Sequence, residues 1–205
     1  PSSITCGPRP LRNLPPIMFP QLEKLSGDLR VLASFLPSDH TEDLTCALVP
    51  QEPIPDAEVQ ALLQGMRKKL SAVRTFSLQG IILRPGLNSF HGLLDHMEIL
   101  QLSGLKNNEL QKLHLTTQEL HLLSDFPSLR EVVLSDTNVR PPIIPQEDWH
   151  AVVTHLFEEC PKLALINVQY KWDWLTKSST YRRWMRGSTV PVELTSKEVI
   201  AERFM

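Results

Sequence analysis

The sequence predicts an α/β fold of irregular strand–helix repeats, with parallel strands and helices on one side of them. The first observation is a recurring frame, in which an apolar residue is followed by others three, six and eight positions later. The second is that apolar residues with helical spacing lie between several copies of this frame. The four clearest copies are Leu70-Val73-Phe76-Leu78, Leu94-Met97-Leu100-Leu102, Phe126-Leu129-Val132-Leu134 and Cys160-Leu163-Ile166-Val168. A strand and a one-faced helix cannot bury their apolar sides alone, and stacking such units buries both.

Length and composition limit the kind of protein. The 205 residues, 41% hydrophobic and 21% charged, suit one large domain or one compact array. The formal charge of −2 argues against nucleic acid as the main partner, because phosphate binding needs clustered positive charge. Cys6, Cys46 and Cys160 are odd in number and far apart, so we expect a reduced, intracellular protein, cytoplasmic or nuclear, without disulfides. No apolar run approaches the ~20 residues of a membrane-spanning helix, and the start at Pro1 without a signal pattern suggests a fragment or processed product.

The chain divides into three predicted parts. Residues 1–20 hold six prolines and are expected to form an extended lead-in rather than an element. Residues 21–169 are the repeat array, and residues 170–205 are an aromatic and basic C-terminal cap. Within the array, a weak copy of the frame near Leu22 ends at Gly27, which makes a strand there doubtful.

The remaining elements follow from local patterns. The N-terminal part predicts a helix from Leu29 to Leu36 and a strand over residues 44–49. Asp56 is a candidate N-cap for a helix running to Leu70, and a short helical segment follows residue 87. Later, the Thr116–Glu119 capping-box spacing predicts a helix that leads into the 129–134 strand. The last unit is predicted as a helix from residues 146–148 to Cys160 and a strand over 163–168.

The spacing of the frames indicates the repeat class. Frame anchors at positions 22, 44, 73, 97, 110, 129 and 163 are separated by 22, 29, 24, 13, 19 and 34 residues. Most of these steps are close to the ~20–29-residue period of leucine-rich repeats. The 13-residue step is too short for a strand–helix–strand return, so residues 97–115 could form one repeat strand or two.

The residues between the inward-facing leucines are the candidate partner-binding surface. Side chains alternate between the two faces of a strand, so these residues share the face away from the core. The candidates are Thr75, Ser77, Gln79, Ile99, Gln101, Lys112, His114, Glu131, Val133, Leu165, Asn167 and Gln169. Their mixed, mostly polar chemistry suits a protein partner better than a phosphate, although a solvated sheet face would have the same composition.

A family resemblance covers about a third of the chain. The carrying segments are Leu110-Gln-Lys-Leu-His-Leu-Thr116, Glu119-Leu120, Phe126-Pro-Ser-Leu-Arg-Glu-Val-Val-Leu134, Asp148-Trp149 and Cys160-Pro-Lys-Leu163. These resemble the leucine-rich-repeat region of fungal F-box-type proteins. The resemblance implies substrate recognition for ubiquitin ligation, in which an F-box docks a Skp-type adaptor. No F-box is evident, because Leu14-Pro15-Pro16 and the segment after it match one only thinly.

No catalytic, metal or cofactor signature emerges. The spacings of His91 from His96 and of His150 from His155 place neither pair on one helix face, and no HExxH or cysteine–histidine cluster occurs. The chain also lacks GxSxG, Walker and GxGxxG motifs. Cys160 fills an apolar frame position at a helix C-terminus, where we expect a core thiol with a raised pKa. We therefore expect a non-enzymatic protein without cofactor, metal or small-molecule substrate.

The C-terminal tail leaves two interpretations open. Its aromatic residues, which include Tyr170, Tyr181 and Trp184, are interleaved with basic residues such as Arg182 and Arg183. Such a pattern can stack bases, but terminal repeats also need a cap. The Thr195–Glu198 spacing predicts a last short helix that packs back on the array.

Three functions are consistent with these observations. The first is a protein-interaction module that recognises substrates for an F-box-type ligase. The second is a scaffold or effector module of the same fold without a ligase link. The third is nucleic-acid binding through the tail.

Overall fold

The computed structural model describes residues 2–5, 22–36, 44–48, 54–79, 87–103, 122–135, 146–173, 175–176 and 178–201. Within them the protein is mixed α/β, with one nine-stranded sheet whose strands follow chain order. The strands are β1 (Ser2–Thr5), β2 (Leu22–Gly27), β3 (Thr45–Leu48), β4 (Thr75–Gln79), β5 (Ile99–Ser103), β6 (Glu131–Ser135), β7 (Leu165–Asp173), β8 (Ser178–Met185) and β9 (Val192–Thr195). The helices are α1 (Leu29–Phe35), α2 (Asp56–Leu70), a 3-10 helix (Leu87–Phe90), α3 (Gln146–Glu159) and α4 (Ser196–Ala201), with a helical turn at 122–124. Neighbouring strands from β1 to β7 are parallel. Strand β8 runs antiparallel to both of its neighbours, β7 and β9.

The apolar positions of the frame lie side by side across the sheet. Phe76 pairs with Leu100, Leu100 with Val132, and Val132 with Ile166. All four side chains are fully buried, and they belong to one core cluster with the apolar faces of α1, α2 and α3. The prediction that these rungs share one sheet and one core is therefore confirmed. The same row extends to Leu25 and Cys46 at one end and to Trp184 at the other.

Each clear copy of the frame also forms the same turn before its strand. The backbone N–H of the second frame residue donates to the carbonyl of the first: Val73 to Leu70, Met97 to Leu94, Leu129 to Phe126 and Leu163 to Cys160. The N–H groups of Glu98 and Ile99 then both donate to the Arg74 carbonyl, and the next two units repeat this pattern. The turn within the frame thus fixes where each strand begins, and the two hydrogen bonds to the preceding unit join neighbouring units.

Local chemistry explains the first helices. The Asp28 carboxylate accepts a hydrogen bond from the Val31 N–H at 2.9 Å and so caps α1. Helix α2 begins at Asp56, which was predicted as the N-cap, but Pro55 occupies that position and makes no side-chain cap bond. Asp56 instead lies in the first turn, where the helix dipole still favours a carboxylate.

Three predictions about elements need correction, and two more are not tested. Residues 2–5 form β1 instead of an extended lead-in, and they pair with β2. The doubtful segment 22–27 is a strand, because it pairs with β1 and β3. Gly27 at its end leaves room for α1, since a Cβ there would lie 2.5 Å from Val31 Cγ1. Strand β7 runs to Asp173, past the predicted array boundary at residue 169, because β8 pairs along it and satisfies its backbone. The predicted strand over 110–115 and the capping box over 116–119 lie outside the described residues.

Candidate binding surface

Ten of the twelve predicted surface residues lie on described strands, and Lys112 and His114 lie outside the described residues. Cross-strand pairing places them in rows on the face opposite the core. One row contains Thr75, Ile99, Glu131 and Leu165, and the next contains Ser77, Gln101, Val133 and Asn167. Gln79 and Gln169 lie two residues further along β4 and β7. The predicted face therefore exists as a continuous surface across β4 to β7.

Only part of this face is open. The side chains of Thr75, Ile99, Gln101 and Leu165 are half-buried. Those of Ser77, Glu131, Val133, Asn167 and Gln169 are buried, so the expectation that they are exposed is wrong. On β6 and β7, side chains of the tail reach the same face: Tyr181 and Val199 pack with Val133, and Arg183 bonds to Asn167. Among the described residues, Ser77 Oγ is a buried atom without a hydrogen-bond partner.

A buried polar network crosses β6, β7 and β8. Asn167 Nδ2 donates to Glu131 Oε1 at 2.5 Å, and Arg183 Nε donates to Asn167 Oδ1 at 2.9 Å. The Asn167 amide thus joins an acidic and a basic side chain, which are 9% and 8% exposed. Breaking such a network by removing one partner leaves a buried charge uncompensated. These three side chains therefore fix the tail on the face and are not free for a partner.

A small apolar cluster closes the same region. Val133, Tyr181 and Val199 form this cluster, with Leu194 packed against it. The hydroxyls of Ser135 and Tyr181 lie 3.0 Å apart, within hydrogen-bonding distance. Val133 and Val199 are 1% and 2% exposed. Helix α4, which packs on β8 and β9, therefore lies on the predicted binding face, as the sequence had suggested for a helix that returns to the array.

The basic and aromatic residues of the tail make internal contacts. The Arg182 guanidinium lies 4.3 Å from the centroid of the Tyr170 ring and 3.9 Å from the Glu193 carboxylate. Burial, followed by a hydrogen bond with Glu193, raises the pKa of Tyr170. Trp184 belongs to the main core, at 3% exposure.

Arg186 completes the end of the last repeat. Its guanidinium donates to the carbonyls of Leu163 and Cys160, just after α3, and lies 5.2 Å from the Phe157 ring centroid. The Cys160 carbonyl also accepts from the Leu163 N–H, so the guanidinium is a second donor there and ties Arg186, which follows β8, to the turn between α3 and β7. The sequence pattern of alternating aromatic and basic residues did not distinguish these capping contacts from a base-stacking surface. What distinguishes the two is whether the basic side chains contact other residues of the chain. Those contacts follow from the register of β7 with β8, which the sequence pattern does not give.

The thiols have the environment of core residues. Burial raises the pKa of Cys46 to about 12 and that of Cys160 to about 11, where Glu159 adds to the effect. The expected direction for Cys160 is confirmed, with burial as its main cause. Cys160 is 4% exposed and belongs to the core, as its frame position predicted.

Histidines are candidate metal ligands in the sequence, and two of those in the described residues lie near a carboxylate. His91 Nε2 lies 3.7 Å from Asp125 Oδ2, and His155 Nδ1 lies 3.9 Å from Glu158 Oε2. No group of three or more metal-ligating side chains occurs among the described residues. Within the same residues, no helix has both the length and the apolar character that crossing a bilayer demands.

Comparison with known proteins identifies no relative: no family model, no curated protein and no solved structure matches this chain.

Proposed function

We propose that this chain is a non-catalytic protein-interaction domain, built as a leucine-rich-repeat-like solenoid, which binds a protein through the open strand face on β4 and β5. The observation that carries the proposal is the alignment of Thr75 with Ile99 and of Ser77 with Gln101 on that face. Thr75, Ile99 and Gln101 are half-buried side chains on rigid, fully paired strands. A rigid platform loses little conformational entropy when a partner binds.

The repeated local geometry supports the solenoid part of the proposal. Four units share one turn, and successive strands from β2 to β7 pair in parallel in chain order. Each unit contributes one rung to the common core, as in architectures where a repeat contacts only its neighbours. The helices α1, α2 and α3 contribute to that core, which leaves the opposite strand face to other contacts.

The chemistry of the open face favours a protein partner. Thr75 and Gln101 are uncharged polar side chains, and Ile99 adds apolar area to the same face. A phosphate-rich ligand would require clustered positive charge, whereas these three side chains carry none. The internal contacts of Arg182 and Arg186 favour the capping interpretation of the tail over base stacking.

The resemblance to fungal F-box-type proteins supports a narrower proposal, in which the partner is a substrate for ubiquitin ligation. A Skp-type adaptor would then bind an F-box encoded upstream of this chain. The second candidate, a scaffold or effector module, would use the same face without any adaptor. Co-purification of the intact gene product separates them: a stoichiometric Skp-type adaptor supports the ligase role, and an intact product that encodes no F-box refutes it.

A matched pair of substitutions tests the binding face. Gln101→Arg places a long charged side chain on the face, and Gln64→Arg makes the same change at an exposed position of α2. We expect proteins captured by the wild-type chain to bind the Gln101→Arg chain about tenfold or more weakly, a loss of ~1.4 kcal/mol or more. Capture by the Gln64→Arg chain should be unchanged, and urea melts should show that both variants remain folded. If both variants capture the same proteins as the wild type with equal affinity, the binding face is not on β4 and β5.

A further inference from the structure

Helix α4 occupies the part of the strand face that a partner would otherwise reach beyond β5. Val199 belongs to the cluster formed with Val133 on β6 and Tyr181 on β8. On β4 and β5, Thr75, Ile99 and Gln101 are half-buried and Ser77 is buried, whereas on β6 both Glu131 and Val133 are buried. The region that Val199 covers therefore begins on β6, which pairs with β5 in the sheet.

Helix α4 needs tertiary contacts to be stable. Its described part, Ser196–Ala201, has six residues, and an isolated helix needs ~12–15 to be even marginally stable. Its N-terminus is closed by reciprocal bonds: the Thr195 N–H donates to Glu198 Oε2 at 2.6 Å, and the Glu198 N–H donates to Thr195 Oγ1 at 3.4 Å. Both residues are exposed, so α4 depends on tertiary packing, and Val199 is its buried side chain among those described.

The surface beneath α4 has an apolar centre and hydrogen-bonding groups at its edge. Val133 supplies an apolar centre, and the Tyr181 ring lies against the same cluster. Hydrogen-bonding groups border it: the Ser135 and Tyr181 hydroxyls, and the Asn167 amide in the next strand. An apolar centre with a polar rim is the general anatomy of a protein interface.

We propose that α4 is a removable intramolecular cover, and that the protein partner displaces it by inserting a branched apolar side chain in place of Val199. This inference rests on the proposed strand-face function and extends the site from β4 and β5 onto β6. Val199 itself shows which chemistry fits the cluster. Because the covered state lacks the β6 part of the site, full affinity for the partner is reached only in the fraction of molecules in which α4 is open, and the apparent affinity falls as that fraction falls.

The opening of α4 can be measured without a partner. A Val133→Cys substitution places a small thiol beneath the cover, and its rate of modification by a maleimide reports exposure. The natural thiol of Cys46, which is fully buried in the main core, reports global opening in the same molecule. In the chain with an intact α4, we expect the introduced thiol to react at least ~10-fold faster than Cys46, because local opening costs less than global unfolding. Equal rates for the two thiols would overturn the proposal.

A matched pair of valine substitutions assigns the opening to α4. Val199→Asp places a charge in the cluster, whereas Val190→Asp makes the same change at a side chain that is 67% exposed. With Val133→Cys as background, Val199→Asp should raise the labelling rate of the introduced thiol at least ~10-fold further, with the rate at Cys46 unchanged. Val190→Asp should change neither rate. An unchanged rate at position 133 in the Val199→Asp chain would refute the role of α4. If that variant unfolds, which rapid labelling of Cys46 would show, the comparison within the chain that retains Val199 decides the question.

The functional consequence is tested with a partner whose binding depends on Gln101. Val199→Asp should strengthen its binding about tenfold, and Val190→Asp should leave it unchanged. If Val199→Asp weakens binding or has no effect, the partner does not use the covered region, whereas the proposed face on β4 and β5 stands. If no partner depends on Gln101, the strand-face function fails, and the labelling rates still show whether α4 opens.

Discussion

Truncation of Leu129 to alanine tests the central packing argument. Leu129 is the second residue of its frame, is 1% exposed, and belongs to the main core. Its backbone N–H donates to the Phe126 carbonyl at 3.1 Å, and the substitution leaves this bond in place. The equivalent side chains in the adjacent units, Met97 and Leu163, are fully buried. The change therefore removes packing without removing a hydrogen bond.

The expected magnitude follows from the carbon atoms removed. Deleting three carbons loses about 2.4 kcal/mol of transfer free energy, at ~0.8 kcal/mol each. A cavity term adds to this loss when the surroundings cannot collapse. Frame residues of the neighbouring units restrain collapse from both sides, so we expect a total loss of about 3 to 5 kcal/mol. That is a large part of the ~5–15 kcal/mol by which domains are usually stable.

Urea denaturation gives the measurement. The free energy of unfolding is extrapolated for the wild type, for Leu129→Ala and for the matched control Leu175→Ala. Leu175 is 95% exposed, so its truncation should change stability by less than about 0.5 kcal/mol. A loss below ~1 kcal/mol for Leu129→Ala would show that the frame leucines do not form a packed core.

Two further predictions concern the first two helices. Gly27→Ala should destabilise the protein by about 1 to 3 kcal/mol, because the added Cβ would lie 2.5 Å from Val31 Cγ1. Gly65→Ala in α2 should stabilise the protein by about 0.5 to 1 kcal/mol, because the added Cβ meets nothing within 4 Å. Thermal melts in which both substitutions shift stability in the same direction would contradict this. The hydrogen bond from Arg30 holds the pKa of Glu58 below its ordinary value. This ion pair therefore supports the fold above the ordinary glutamate pKa and is lost as pH falls through the lowered one. NMR titration should show that Arg30→Gln raises the pKa of Glu58, and an unchanged value would refute the assignment.

The strand positions could be predicted because each is encoded locally. Phe76, Leu100, Val132 and Ile166 occupy the same position of the same frame, and equal local geometry brings them into register. The two N-terminal strands could not be predicted in this way. Strand β2 ends at Gly27, where the missing side chain leaves space for Val31 of α1. A single glycine in a sequence does not indicate such a close contact.

The sequence predicted on which side of the sheet the proposed binding face lies, but not which of its residues are buried. Strand alternation places Thr75, Ile99 and Val133 on the side away from the core, as the structure has them. Alternation cannot tell which of them solvent reaches. Val133 is buried because Tyr181 and Val199, 48 and 66 residues later in the chain, pack with it.

The sequence by itself determined the class of fold, the rungs of the core and the side of the sheet on which the polar residues lie, because each depends on periods of a few residues. Only the tertiary structure decided which part of that side is open. Strands β8 and β9 and helix α4 extend and cover the sheet through contacts between residues distant in the chain. The Thr195–Glu198 spacing predicted a last helix that packs back on the array, but not which strands it covers, because that depends on contacts between residues distant in the chain.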